Sequence, residues 1–159
     1  MIFVLTYIIP LVSIGMLRLT ANISSFRLPE AKERFLPFIF VAVYYGLTTY
    51  LFYSKIVLGM AMILIFLCIT ITILSVAIIS RRYKISAHAA GTAGLVAALL
   101  AVQSKYPDSQ LFYPIIGSIL LLGVVCSARL QLNEHSLTEV FWGTLLGLVV
   151  NFVPIFILT

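Results

Sequence analysis

The chain has 159 residues, of which 62% are hydrophobic and only 9% charged. Soluble domains carry roughly 25% charged residues, so these proportions exclude a soluble globular fold. The net charge of +5 favours anionic lipid or phosphate as a partner. Its basic residues are too dispersed, and its loops too short, for a nucleic-acid reader.

Six apolar runs follow one another, at residues 1–17, 35–53, 56–79, 87–102, 111–128 and 140–158. Most are long enough to cross a hydrocarbon core. They predict an all-α, polytopic membrane helical bundle of about six transmembrane helices, with residues 1–159 forming a single integral-membrane domain. The first run has no basic n-region and no small-residue cleavage site, so it reads as a span rather than a signal peptide. A further segment upstream of Met1 is compatible with its missing flank. Pro10 is tolerable in a membrane helix, where neighbours satisfy the freed carbonyl.

Residues 20–35 form the one long polar connection, and Pro29, Glu30, Lys32, Glu33 and Arg34 suggest a short surface helix. The second run ends in Tyr50, Phe52 and Tyr53, suited to an interfacial belt. Ser54 and Lys55 make a tight turn into the third run, in which no chemistry is legible. The next loop, Ser80 to His88, is the most basic, and Arg81 and Arg82 in it read as headgroup anchors. The fourth run repeats small residues (Ala87, Ala90, Gly91, Gly94, Ala97, Ala98), which lets helices approach closely and predicts a central position. Gly143 and Gly147 give the last run a second close-packing face. Trp142 reads as interfacial or core. Cys68 and Cys126 sit inside apolar runs and read as small buried hydrophobes.

The connections 18–34, 80–87 and 129–139 are separated by two spans each, so they share one side of the membrane. That side gathers Arg27, Arg34, Lys84, Ser86, His88, Arg129, His135 and Glu139; the far side has Lys55, Lys105 and Asp108. Fixed cations with hydroxyl and backbone donors cradle phosphate oxygens. A carboxylate behind an imidazole fixes its tautomer, as a nucleophilic histidine requires, and a second histidine can protonate a leaving alkoxide. The spacing of His135 and Glu139 would put them on one face of a helix. The structural reading of the same residues is a snorkelling arginine beside a helix-end ion pair. Two His and one Glu are also a zinc set, but the surrounding cations would repel a dication, so no metal and no cofactor are expected.

In order, the chain carries Arg27-x6-Arg34, then Ile85-Ser86-Ala87-His88, then Ser127-Ala128-Arg129-x5-His135-x3-Glu139. This resembles the membrane branch of the type 2 phosphatidic acid phosphatase family, whose signature is K-x6-R-P, P-S-G-H and S-R-x5-H-x3-D. The chain departs from it at Arg27 (Lys), Phe35 (Pro), Ile85 (Pro), Ala87 (Gly), Ala128 and Glu139 (Asp). Lys32 or Lys84 is an alternative source for the first cation. The resemblance implies His135 as the nucleophile that becomes phosphohistidine, Glu139 as its orienting acid, and His88 as general acid. It implies Arg129, Arg34, Arg27, Ser86 and the Ala87 backbone N–H as phosphate ligands.

The function so implied is hydrolysis of a lipid phosphate or pyrophosphate at the membrane interface. Undecaprenyl pyrophosphate, phosphatidic acid, phosphatidylglycerol phosphate and a lipid A phosphate are the family's substrates. The implied location is a bacterial inner membrane, crossed several times. The positive-inside rule would turn the site to the cytoplasm, whereas family members acting on cell-wall carriers face outward. A non-catalytic lipid-phosphate binder is the alternative reading. A transporter would need charge near the bilayer midplane, which the spans lack.

Overall fold

The computed structural model describes residues 4–19, 31–55 and 59–158, and every long element among them is helical. A π-helical lead-in, Val4–Ile8, runs into α1 (Ile9–Leu19). Then come α2 (Ala31–Lys55), α3 (Met60–Ile79), α4 (Ala87–Lys105), α5 (Phe112–Gln131) and α6 (Leu137–Leu158). The protein is therefore an all-α helical bundle, and α2 to α6 each contain a stretch long and apolar enough to cross a membrane. The chain is a multi-pass membrane protein by this measure.

Small residues put α4 at the centre. Ala89, Ala90, Ala93, Ala97 and Ala101 are almost wholly buried, and the most extensive helix–helix interface is α4 with α6. The two glycines of α6 make this contact possible. A Cβ on Gly143 would stand 2.5 Å from the carbonyl oxygen of Ser86, and one on Gly147 would overlap the carbonyl of Ala90. In a bilayer, where helix association depends on packing rather than on exclusion from water, such close approach is what joins two helices.

Among the described residues, a buried polar tie joins α6 to α3 across the bundle interior. Asn151, on α6, donates from Nδ2 to Thr72 Oγ1 on α3 at 3.0 Å and to the Gly147 carbonyl at 2.9 Å. Thr72 in turn donates to the Cys68 carbonyl. Nearer the N-terminus, Ser13 and Tyr44 join α1 to α2 through their hydroxyls at 2.8 Å.

Two expectations need correction. Residues 31–34 are the first turn of α2, continuous with the apolar span, rather than a separate surface helix; Pro29 and Glu30 lie outside the described residues. Helices α5 and α6 also extend further towards the polar connection than their apolar runs did. Arg129 therefore falls in the last turn of α5, and Glu139 in the first turn of α6.

Candidate active site

The connection between α5 and α6 is built to present His135. Leu132 and Asn133 close α5 with N–H donation back to the carbonyls of Ala128 and Leu130. Asn133 stands at φ 51, in the left-handed region that asparagine tolerates better than most residues. After this reversal the His135 N–H donates to the Arg129 carbonyl at 3.4 Å, tying the histidine's backbone to the end of α5.

A reciprocal cap then starts α6. The Glu139 N–H donates to Ser136 Oγ at 3.4 Å, and the Ser136 N–H donates to Glu139 Oε2 at 3.2 Å. Ser-x-x-Glu is the pattern that satisfies two orphan helix N–H groups in this way. The same Oε2 lies 2.8 Å from His135 Nδ1. His135 therefore precedes α6 instead of sharing its face, and the pair meets because the cap curls the carboxylate back. The His135 and Glu139 side chains are only 7% and 18% exposed, so the bond is largely shielded from water.

The 80–86 connection reaches the same place. The Ser86 N–H donates to the Glu139 carbonyl at 3.3 Å, which sets the start of α4 against the start of α6. Ser86 caps α4, its Oγ accepting from the Ala89 N–H at 3.4 Å, and it is fully buried. The resemblance implies a phosphate ligand at Ser86; the structure gives its hydroxyl to the helix cap. Ala87 and His88 open α4, with the His88 side chain exposed. His88 follows the Ser86 cap by two residues, and the backbone bonds from Ser86 to Glu139 and from His135 to Arg129 bring these expected groups to one end of the bundle. Lys84 is half-buried two residues before the cap.

The start of α2 belongs to the same end of the bundle, since the Arg81 guanidinium lies 3.6 Å from the centre of the Phe35 ring. Arg81 thus fastens α2 to the 80–86 connection. Arg34 and Lys32 fall in the first turn of α2 with their side chains outside the described set, and Arg27 lies outside the described residues altogether. At the opposite end, Lys105 sits over the Phe156 ring at 5.1 Å, bringing the ends of α4 and α6 together there.

The starts of α4 and α6 both point their positive dipole ends at this face, where an anion is stabilised. Among the described residues no three His, Cys, Asp or Glu side chains are grouped to hold a metal ion. The role of Ser136 escaped the sequence reading, although the Ser136-x-x-Glu139 spacing displays it. Comparisons with protein families, curated proteins and solved structures return no match for this chain.

Proposed function

We propose that the protein is a membrane lipid phosphate or pyrophosphate phosphatase working through a phosphohistidine at His135. The observation that carries this reading is the 2.8 Å contact between His135 Nδ1 and Glu139 Oε2, at the end of the bundle where α4 begins with His88 and α5 ends with Arg129. A carboxylate on Nδ1 keeps the proton there and leaves the nucleophilic lone pair on Nε2.

Nε2 attacks phosphorus, forming a P–N bond as the P–O bond to the lipid breaks, while protonated His88 gives its proton to the departing oxygen. Water then attacks phosphorus, His88 takes a proton from it, the P–N bond breaks and inorganic phosphate leaves. Arg129 and the N–H groups at the start of α4 face the charge on the phosphoryl oxygens. Glu139 stabilises the imidazolium that His135 becomes on phosphorylation.

The test is phosphate release from a panel of lipid phosphates and pyrophosphates in detergent with EDTA, for wild type and His135→Ala. Release by the wild type alone supports the reading and names the substrate. Equal release by both proteins sinks it. Binding of lipid phosphate without release by either would favour a non-catalytic binder, a reading supported by the burial of Ser86 in its cap and by the Cβ of Ala87 where the family has glycine.

A further inference from the structure

Ser136 grips Glu139 by both its backbone and its side chain. Its Oγ accepts from the Glu139 N–H at 3.4 Å, and its own N–H donates to Glu139 Oε2 at 3.2 Å. A contact of 3.1 Å between Ser136 Oγ and Thr138 Oγ1 lets a hydroxyl proton be shared within the same turn. Among the described residues, the hydrogen-bond partners of the Glu139 carboxylate are its sequence neighbours His135 and Ser136. The carboxylate is therefore placed by the first turn of α6 itself. An ionised carboxylate offers no proton, so Nδ1 of His135 must carry one for the 2.8 Å contact to be a hydrogen bond. The tautomer of His135 then depends on where Glu139 is held.

Resting on the phosphatase reading of the site, we propose that Ser136 is a positioning residue for His135. By closing the cap it holds the Glu139 carboxylate against Nδ1 and keeps the Nε2 lone pair available to phosphorus. Ser136 acts through Glu139 and exchanges no proton with the substrate. The cap also gives a reason for glutamate at this position, because the longer side chain is what reaches back to the N–H of the capping residue. The signature that the chain resembles leaves the position after the histidine open, so this role belongs to the chain's own sequence.

Ser136→Ala removes the capping oxygen, whereas Ser136→Thr keeps one. The direct readout is nuclear magnetic resonance of isotope-labelled histidine nitrogens in detergent at about pH 8, where an ordinary imidazole is neutral. The chain has two histidines, and His88→Ala assigns their signals. Wild type should show His135 protonated on Nδ1 and bare on Nε2. Ser136→Ala should bring in a second population protonated on Nε2, with kcat on a lipid phosphate about tenfold lower and KM within about twofold. Ser136→Thr should restore both. A cap that served the helix alone would lower the melting temperature when lost and leave the tautomer as it was. An unmoved tautomer in Ser136→Ala thus overturns the proposal, as does a moved tautomer with wild-type kcat, or a threonine variant that restores neither. Phosphate release by the wild type is scored separately. Its absence, with the tautomer moved by Ser136→Ala, removes the phosphatase reading and leaves the hold of Ser136 on His135; release with an unmoved tautomer removes the role of Ser136 alone.

Discussion

Glu139 holds two partners with one oxygen, the Ser136 N–H at 3.2 Å and His135 Nδ1 at 2.8 Å. Aspartate, which the phosphatase family carries here, is one methylene shorter and would have to give up one of them. Glu139→Asp is thus expected to lower kcat about tenfold with little change in KM, by the loss of a well-placed orienting bond. Glu139→Gln keeps the length but cannot stabilise the imidazolium, and should cost roughly 10²-fold or more in kcat. The reverse ordering in steady-state kinetics would show that the cap matters more than the charge. His88 makes a different prediction. His88→Ala should slow release from an alkyl phosphate by about 10²- to 10⁴-fold. It should slow release from p-nitrophenyl phosphate far less, since that leaving group needs no proton. Equal losses on both substrates would remove His88 from the general-acid role.

Among the elements, α4 and α6 carry the site, and the glycines between them set its registry. Gly147→Ala places a methyl group on the Ala90 carbonyl. Overpacking of this kind costs about 1–3 kcal/mol, read as a lower melting temperature in detergent. Gly91→Ala, on the open side of α4 with nothing within 4 Å, should leave that temperature unchanged or raise it. A similar loss in both variants would mean that the cost at Gly147 does not come from close approach at the seam. Asn151→Leu breaks the tie to Thr72 and should cost about 0.5–2 kcal/mol, the range of interhelical hydrogen bonds in membranes. The spans were legible because apolar runs of membrane length have few alternatives to helix. Their polar ends were not: Ser136-x-x-Glu139 starts α6 before its apolar run, and Ala31–Arg34 extend α2 by the same disregard for hydropathy. Asn151 passed unnoticed because one amide within an apolar span changes neither its length nor its mean hydropathy.

For the whole molecule, sidedness was the most informative inference available from the residues. Counting spans put 80–87 and 129–139 on one face, and the Ser86–Glu139 hydrogen bond and the Arg81–Phe35 contact agree with it. The candidate site was legible as far as the placing of His88, Arg129, His135 and Glu139 at one end of the bundle and the pairing of the last two. The role of Ser86 was not, because a hydroxyl that caps a helix and one that binds an anion look alike in a sequence. Cysteines introduced at Lys84 and Glu134 should react with a membrane-impermeant maleimide from the same side of sealed vesicles, and one at Asp108 from the other. Labelling of Lys84→Cys and Asp108→Cys from one side would overturn the arrangement. The central claim of the proposed function is a covalent bond from phosphorus to His135. Rapid quenching of the protein after mixing with a lipid phosphate carrying radiolabelled phosphorus tests it most directly. The account predicts a protein-bound label that is stable to base, labile to acid and missing from His135→Ala. Phosphate release with no such label, or a label that persists in His135→Ala, would contradict it.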